Sequence, residues 1–534
     1  MADGSISANT TSVHTDLRWG WVQSGQDRGT LDILWSCSVT IVLCCWVATH
    51  PNVSAPKDKF LQRWIDKTHL AMIGLLGPDF LFGIALGQFS SARRSVKKFK
   101  TEKVPCDGQK WTYTYAFFAD MGGMFLTSTD FPEGFPINAE QLHWLIKYGH
   151  VDFPNMEQMN IGERNASDTL SRLLVIWQAL WFSVIEIQRT NVGLPMTTLE
   201  LTALSYVFVM LATQICWFKK PSISSPRTIP TKDDKLVEDI RAWARGNTHR
   251  ELPEEWYRTP LDFIDGPRFQ IATHWSYYTR LLHLLRLPII SRPMNCKPWD
   301  RFPSDMWIPA EKSWLLAPFA GFVLVVFSGW FLIGWNFFFP SPVEQYMWRV
   351  CAVTQAAFGI YGGVYYMLEG FKWHAAHDKL EKQMPAATVT TTSTSTTKTT
   401  SETKDASTAS TLLVLPDRVD VESQTHIETT TNQVLTFRQR WRRILPRYVE
   451  VRLDHFLRTY RKFNRRFDAI RNISSDQDPQ MALPLHVIIP VTIVCAIYTL
   501  CRAYVYIEDY ISLRVQPVGV YMTVNRYVPF WGDG

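Results

Sequence analysis

Residues 314–339 read WLLAPFAGFVLVVFSGWFLIGWNFFF and contain no Asp, Glu, Lys or Arg. This segment exceeds the roughly 20 apolar residues that cross a hydrocarbon core about 30 Å thick. Similar blocks recur along the 534 residues, of which 46% are hydrophobic and 19% are charged. The sequence therefore predicts an all-α integral membrane protein and argues against a soluble enzyme.

Seven segments have the apolar length expected of transmembrane helices, with a possible range of six to eight. They are residues 31–49, 69–90, 171–189, 198–218, 314–339, 345–369 and 485–507. This pattern divides the chain into residues 1–218 with spans one to four, a cytosolic insertion at 219–313, spans five and six in 314–370, a cytosolic linker at 371–484, and span seven with its tail at 485–534. The aromatic stretch 111–127 is too short to span and predicts an interfacial or re-entrant segment.

The distribution of Lys and Arg predicts the orientation. Basic residues follow span two, as at Arg93 and Arg94, and span four, as at Lys219 and Lys220. The positive-inside rule then places the N-terminus in the cytosol and the C-terminus in the lumen, in the endoplasmic reticulum membrane. The 50–68 loop fits this less well, because it is assigned to the lumen yet holds several basic residues, Lys57, Lys59, Arg63 and Lys67. The sequon that begins at Asn52 would be glycosylatable there.

The cytosolic linker combines two different compositions. Residues 387–411 are rich in Thr and Ser and predict a disordered stretch. Residues 437–471 mix many Arg residues with Trp, Leu, Tyr and Phe, which predicts a basic amphipathic helix on anionic membrane lipids, with a solvated charged helix as the alternative. The net charge of +6 is modest and no nucleic-acid-binding motif is present, so we expect no nucleic acid partner.

Carboxylates inside apolar spans are the most informative residues, because an ionised group at mid-membrane costs at least about 2.5–3.5 kcal/mol. Glu186 and Glu200 flank the short connection between spans three and four, so we expect them to approach each other near the lumenal leaflet. Arg189 and Arg349 are their predicted partners. An equal alternative for Glu200 is a capping box with Thr197 at the start of span four.

Asp79 is the third candidate acid. It follows Gly77-Pro78, about ten residues into span two, and therefore lies roughly 15 Å deep at 1.5 Å per residue. A Gly-Pro pair loosens a helix at that point. Aromatic residues such as Trp181 and Tyr365 are candidates for the wall of a cavity in which ring faces stabilise a cation, although interfacial belts explain many membrane aromatics.

The candidate chemistry requires no metal. The nearest match to a diphosphate-binding acidic motif, at Asp233 and Asp234, lies in the cytosolic insertion and favours a solvated helix face. His374 and His377 could share a helix face, but two His residues at a membrane boundary are more often not ligands. We therefore predict no metal site.

Several motifs resemble a large family of fungal multi-pass membrane proteins whose members mostly have no assigned activity. The motifs include RGTLDI at 28–33, MGG at 121–123, WQ at 177–178, LP at 194–195, TLEL at 198–201, WN at 335–336 and RAY at 502–504. Within that family the chain looks like the membrane-bound terpene cyclases of ascochlorin- and ascofuranone-type meroterpenoid pathways. This resemblance implies a lipophilic substrate, an epoxidised farnesyl chain on an aromatic core, cyclised without a cofactor.

The sequence thus predicts a membrane-bound terpene cyclase of secondary metabolism. Glu186, assisted by Glu200 or Asp79, would protonate the epoxide, while Trp181 and Tyr365 shield the cation. The alternative from another class is a transporter or receptor whose intramembrane charges line a ligand pathway. The oligomeric state stays open.

Overall fold

The computed structural model describes residues 16–25, 27–102, 104, 109–155, 165–223, 225–247, 252–287, 289, 291–294, 296–311, 313–383, 468–473 and 478–523. Apart from residues 468–470, these belong to one unit formed by residues 1–386 and 471–534. The predicted disordered stretch at 387–411 lies outside the described residues, as does most of the predicted basic helix at 437–471.

Helices dominate the described chain. They are α1 Thr30–Ala48, α2 Phe60–Leu76, α3 Pro78–Thr101, α4 Tyr113–Asp120, α5 Ala139–Lys147, α6 Asn165–Asn191, α7 Thr198–Trp217, α8 Val237–Asn247, α9 Gln270–Leu284, α10 Leu316–Trp330, α11 Pro342–Lys382, α12 Asp468–Arg471 and α13 Leu485–Ile511. The strands are β1 Leu17–Trp19, β2 Met124–Thr127, β3 Phe135–Ile137, β4 Arg227–Pro230 and β5 Val515–Pro517.

Four of the described helices are long and apolar enough to cross a membrane: α1, α7, α10 with its 3₁₀ continuation to Asn336, and α13 with its continuation to Arg514. A fifth span results if α2 and α3 are counted together. The helices α6 and α11 occupy the predicted spans three and six, but their composition falls below this standard. The structure thus supports a helical membrane protein with four or five candidate spans.

The predicted span two is broken. Helix α2 ends at Leu76, α3 begins at Pro78, and the two are bent by 119°. Proline is well suited to the first position of a helix but not to its interior, so Gly77-Pro78 ends one helix and starts another. The continuous span predicted at 69–90 is therefore wrong. A bend of this size makes the pair either a broken span or a re-entrant loop.

Both ends of the described chain lie on one face of the helices. Strand β1 pairs antiparallel with β5, with Leu17 opposite Pro517. The Arg28 N–H also donates to the Tyr521 carbonyl at 3.1 Å. We call this the terminal face. The pairing of β1 with β5 contradicts the sequence prediction that the two ends lie on opposite sides.

The opposite face, which we call the insertion face, brings together segments that the sequence analysis assigned to different sides of the membrane. Asn52, after α1, donates from its side-chain amide to the Pro303 carbonyl at 2.9 Å and accepts from Lys220 at 3.0 Å. Lys57, before α2, forms an ion pair with Glu133, beyond α3, at 2.8 Å. The prediction that the 50–68 loop faces away from residues 219–313 is therefore wrong. Asn52 is also buried, so the sequon cannot carry a glycan in this fold.

The stretch 111–127 is neither a span nor a re-entrant segment. It forms α4 and then β2, the central strand of a three-stranded sheet in the order β3-β2-β4. Strand β3 is antiparallel to β2 and β4 is parallel to it. This sheet joins the chain after α3 to residues 227–230 of the insertion. The aromatic residues of this region belong to a buried core, in which the side chains of Phe117, Phe118 and Phe135 are at most 1% exposed.

Candidate functional site

Glu186 and Glu200 lie on either side of Arg28, which precedes α1. The Arg28 guanidinium is 3.4 Å from Glu186 Oε1 through Nη1, and its Nη2 donates to Glu200 Oε1. Arg189 Nε lies 3.4 Å from Glu186 Oε2. Two carboxylates are thus matched by two guanidinium groups. We call these four side chains the arginine cluster.

The arginine cluster also fastens the C-terminal segment. Arg189 donates to the Met522 carbonyl at 2.6 Å and to the Val520 carbonyl at 2.9 Å. Glu200 accepts from the Thr197 N–H at 2.8 Å and its hydroxyl at 2.9 Å, which completes the capping box predicted as the alternative for this residue. With these partners, both carboxylates have structural tasks at the terminal face.

Asp79 lies at the bend between α2 and α3. The Tyr498 hydroxyl on α13 donates to it, at 3.3 Å from Oδ1 and 3.4 Å from Oδ2. Tyr506 donates to the Leu75 carbonyl at 2.9 Å and receives a hydrogen bond from Arg502 Nε at 2.8 Å. Because a helix end inside a membrane leaves carbonyl groups without water, side chains of α13 satisfy the end of α2.

The predicted aromatic and basic wall is not assembled around these acids. Trp181 is 37% exposed and stacks on Trp177, so it faces outward from α6. Tyr365 stacks on Tyr361 along α11. Arg349 donates from Nε to the Trp335 carbonyl at 3.0 Å and forms no contact with Glu186 or Glu200. The sequence predicted that Arg349 holds the acid network, and this geometry contradicts it.

A cavity of about 200 Å³ lies instead at the insertion face, bounded by α3, α9, α11 and residues 291–309. Four indole rings, those of Trp275, Trp299, Trp307 and Trp373, take part in its lining. We call it the tryptophan cavity. The rings of Trp275 and Trp307 have centroids 5.9 Å apart. The Trp307 indole N–H is buried without a hydrogen-bond partner among the described residues.

Two glycines of α3 let the wall approach the helix closely. A Cβ at Gly83 would lie 2.7 Å from the Trp307 ring, and a Cβ at Gly87 would lie 2.2 Å from the Ile308 carbonyl oxygen. Both separations are shorter than real Cβ contacts. The four-residue spacing puts the two glycines on one face of α3, so residues 307–308 pack directly on the helix backbone.

Asp120, the last residue of α4, is the least satisfied carboxyl group of the tryptophan cavity. Its Oδ1 accepts from the Ala139 N–H at 3.0 Å, while Oδ2 is buried without a hydrogen bond of normal geometry among the described residues. Ser91 and Arg94, one turn apart on α3, are its polar neighbours. Burial raises the pKa of Asp120 to about 6, and the hydrogen bond from Ala139 offsets this only in part.

The other acids of the cavity have better defined partners. Asp265 accepts from Asn138 at 2.7 Å and from Arg258 at 3.1 Å, although burial still raises its pKa to about 6. Asp305 accepts from the Trp275 indole at 2.7 Å, and burial raises its pKa as well.

Glu140 behaves in the opposite way. Its carboxylate lies 3.0 Å from His377 Nε2 and 3.4 Å from Lys98 Nζ. Although burial opposes ionisation, the hydrogen bond and charge of His377 and the charge of Lys98 lower the pKa of Glu140 to about 2. Glu140 therefore stays ionised, whereas Asp120 exchanges a proton near neutral pH.

The two candidate histidines of α11 have separate partners. His374 Nε2 lies 2.8 Å from the Ala310 carbonyl, and His377 pairs with Glu140. Within the described part of the chain, no group of three or more His, Cys, Asp or Glu side chains is arranged to hold a metal ion.

Sequence reasoning missed Arg28 and Asp120. Arg28 was quoted only within a motif, and its position before α1 gives no sign that it reaches α6 and α7. Asp120 lies in the aromatic stretch 111–127, whose length alone predicts an interfacial or re-entrant segment. The signal was a lone carboxylate in an aromatic stretch followed by glycines: Gly122 adopts a φ of +77°, which lets the chain turn from α4 into β2.

Residues 5–243 are similar to a family described as a family of unknown function, DUF8562. The match covers less than half of the chain. It includes the arginine cluster, Asp79 and Asp120, but it ends before residues 258–309, which supply much of the wall of the tryptophan cavity. No curated protein and no solved structure matches the chain.

Proposed function

We propose that the chain is a membrane-bound enzyme that transfers a proton to a lipophilic substrate in the tryptophan cavity. The proposed reaction is the acid-initiated cyclisation of an epoxidised prenyl chain, as the sequence resemblance implies. One observation carries the proposal: Asp120, whose pKa is raised to about 6, lines a cavity to which four indole rings contribute, and its Oδ2 has no hydrogen bond of normal geometry among the described residues. A donor with a pKa near the working pH is suited to general acid catalysis.

The proposed acid is therefore Asp120 rather than Glu186, Glu200 or Asp79. The Glu186 and Glu200 carboxylates lie against Arg28 and Arg189 and take part in the contacts that hold the C-terminal segment and the start of α7. Asp79 accepts from Tyr498 at the helix bend. None of these three residues lines the tryptophan cavity.

The proposed reaction conserves all atoms. Asp120 protonates the epoxide oxygen, a C–O bond breaks, and an alkene of the same chain attacks the resulting carbon centre. The final cation loses a proton, which restores the acid. The indole faces stabilise the positive charge, by about 2 kcal/mol or more in a desolvated site. The Trp307 N–H supports the departing oxygen as a hydrogen-bond donor.

The size of the cavity suggests how a substrate lies. Ligand pockets commonly measure about 300–1,000 Å³, so a cavity of about 200 Å³ accepts the reacting end of a prenyl chain rather than a whole meroterpenoid. The remainder would extend toward the apolar helices. This placement favours substrates that partition into the membrane.

We propose an orientation opposite to the one first predicted. The insertion face holds most of the basic residues that flank the candidate spans, including Lys57, Arg93, Arg94, Lys219 and Lys220. The same positive-inside rule makes this face cytosolic and the N-terminus non-cytosolic, within the endoplasmic reticulum membrane. Single cysteines introduced at Ser24 and at Asp152 test this with a membrane-impermeant maleimide in a chain whose native thiols have been replaced. We expect Asp152→Cys to react from the cytosol and Ser24→Cys only after permeabilisation.

The activity test uses membranes that contain the full chain and an epoxyfarnesyl phenol. We expect Asp120→Asn to reduce turnover by at least about 100-fold, within the usual range for a general acid. Asp152→Asn is the matched control, because Asp152 is exposed and pairs with Lys232 away from the cavity. Cyclisation that persists in Asp120→Asn would refute the acid assignment. Absence of cyclisation in the wild type with any epoxyprenyl phenol would refute the reaction class.

A transporter is the second candidate, and the bent pair α2–α3 favours it. Broken helices that meet ionisable side chains inside a membrane are typical of transporter binding sites. Asp79 at the bend, with Tyr498 and Arg502 nearby, has this arrangement. Proteoliposome uptake of lipophilic phenols that depends on Asp79, combined with no chemical change in the solute, would support transport over catalysis.

A further inference from the structure

A buried carboxyl group lies where the end of α13 packs against the start of α7. Asp509 is 1% exposed, and neither of its side-chain oxygens has a hydrogen bond of normal geometry among the described residues. Removing a carboxylate from water is costly unless a counter-charge or hydrogen bonds compensate for it. Neither the arginine cluster nor the tryptophan cavity includes this residue.

The cation whose charge acts on Asp509 is engaged with other groups. Arg502, seven residues earlier on α13, is that cation. Its Nη1 donates to Gln355 at 2.8 Å and its Nε donates to the Tyr506 hydroxyl at 2.8 Å. Seven helical residues rise about 10 Å, and Arg502 forms no hydrogen bond with Asp509. The charge of Asp509 is therefore not matched by direct contact with this guanidinium.

The polar groups next to Asp509 are hydroxyls. Thr198 and Thr202, one turn apart on α7, are its hydrogen-bonding neighbours. The Ser512 hydroxyl lies 3.1 Å from that of Thr198 and 3.5 Å from the Asp509 carbonyl oxygen. Thr202 Oγ1 also has no hydrogen bond of normal geometry among the described residues. These four side chains are at most 1% exposed, and we call them the hydroxyl site.

The acids that are close to the hydroxyl site in sequence belong to other contacts. Glu200 lies between the two threonines in sequence but accepts from Arg28 in the arginine cluster. Glu508 accepts through Oε2 from the Tyr504 hydroxyl at 3.3 Å, on the side of α13 that meets the start of α11. The hydroxyl site therefore contains a single carboxyl group, which carries one negative charge when it is ionised.

We propose that the hydroxyl site binds a monovalent cation, Na⁺, between α7 and α13. Hard cations are bound by oxygen atoms, and two carboxylate oxygens with three hydroxyls offer five. One negative charge matches one positive charge. Asp509 also lies in the last turn of α13, and the carbonyl end of a helix favours a cation. Oxygens that lie near one another without normal hydrogen bonds are suited to converge on an ion. This inference does not depend on the proposed cyclase activity.

The test compares melting temperatures of the purified full chain in detergent, in NaCl and in choline chloride at equal ionic strength. We expect Na⁺ to raise the melting temperature by about 2–5 °C, because an ion that binds only the folded state stabilises it. Asp509→Asn removes the charge and should abolish this rise. Thr202→Val removes one oxygen at nearly constant size and should weaken the apparent affinity for Na⁺ by about tenfold.

Two matched controls separate the site from general effects of charge and hydroxyl loss. Thr499→Val acts on an exposed part of α13, where Thr499 donates to the Cys495 carbonyl at 2.8 Å. Asp152→Asn removes the same charge as Asp509→Asn from an exposed position. Both variants should keep the full rise in melting temperature with Na⁺.

Three results would overturn the proposal. Equal melting temperatures of the wild type in NaCl and choline chloride would leave Asp509 as a protonated structural group. A rise with Na⁺ that persists in Asp509→Asn would place the ion elsewhere. Stronger stabilisation by CaCl₂ than by NaCl at equal ionic strength would refute the monovalent assignment. If Asp509→Asn does not fold, Thr202→Val decides, and an unchanged response to Na⁺ in that variant refutes the site.

Discussion

The arginine cluster and the tryptophan cavity both bury carboxyl groups, but they surround them differently. In the arginine cluster, Glu186 and Glu200 each face a guanidinium group, and Glu200 also accepts from the Thr197 N–H. In the tryptophan cavity, Asp120 keeps one oxygen without a normal hydrogen bond, and its pKa rises to about 6. Burial alone therefore does not mark a functional acid. Glu186 also keeps one oxygen without a hydrogen bond, so what distinguishes Asp120 is its place in the lining of a cavity.

The largest expected effect is at the arginine cluster. Glu200→Gln leaves the Arg28 guanidinium buried with one counter-charge fewer, and we expect it to lower the free energy of unfolding by about 3–5 kcal/mol. Chemical denaturation in mild detergent, followed by tryptophan fluorescence, measures this. The double variant Arg28→Met/Glu200→Met removes both charges and should recover part of the loss. A Glu200→Gln variant as stable as the wild type would contradict a structural role.

Asp120→Asn should have the opposite effect on stability and raise the free energy of unfolding at neutral pH. The pKa of Asp120 is raised from 3.8 to about 6, so the folded state binds its proton more tightly than the unfolded state does. Its stabilising contribution is fully present below about pH 4 and is lost as the pH rises through 6, a change of about 3 kcal/mol. Because Asn stays neutral, we expect this variant to be more stable than the wild type at pH 7 by about 1–3 kcal/mol. Thermal unfolding between pH 4 and 8 tests this prediction. A variant that is less stable than the wild type at pH 7 would show that Asp120, like Glu200, stabilises the fold as a carboxylate.

Gly87→Ala tests the wall of the tryptophan cavity. The added Cβ would lie 2.2 Å from the Ile308 carbonyl oxygen, so residues 307–308 must move away from α3. We expect a loss of about 1–3 kcal/mol in stability, together with reduced turnover because Trp307 is displaced. Gly321→Ala on α10 is the control, since its Cβ meets nothing within 4 Å. Equal effects of both substitutions would show that the close packing at Gly87 is unimportant.

The smallest effect is expected at Trp181. This side chain faces outward on α6 and touches neither region. Trp181→Ala should change the free energy of unfolding by no more than about 0.5 kcal/mol and leave turnover unchanged, whereas Trp307→Phe should lower turnover by removing a free indole donor. Turnover assays on both variants decide this. A larger loss of turnover in Trp181→Ala than in Trp307→Phe would support the aromatic site that the sequence predicts around Trp181.

The apolar blocks allowed the helices to be predicted well, because length and hydropathy are local properties. The candidate spans at 31–49, 198–218 and 485–507 correspond closely to α1, α7 and α13. Gly77-Pro78 was recognised as a weak point, but the 119° bend that it permits depends on α13 contacts that no local pattern encodes. That bend bears on the face assigned to Asn52, whereas the lower number of candidate spans also reflects the composition of α6 and α11.

The candidate site was harder to predict, for a related reason. Glu186 and Glu200 were singled out because charge in an apolar segment is conspicuous, yet their partner Arg28 lies more than 150 residues away in sequence. Asp120 was overlooked because its segment is too short to span a membrane. Its environment is built from α3, α5 and residues 291–309, which only the folded chain brings together.

The pairing of β1 with β5 has a consequence for biosynthesis. Leu17 leaves the ribosome some 500 residues before Pro517. Strand β1 therefore cannot pair until the C-terminal strand β5 has been synthesised. During translation Arg28 emerges before both acidic partners, and its backbone contact with Tyr521 forms only at the end. Since such distant contacts form slowly, chains shortened before residue 515 should leave the start of α1 unanchored and become substrates for membrane quality control.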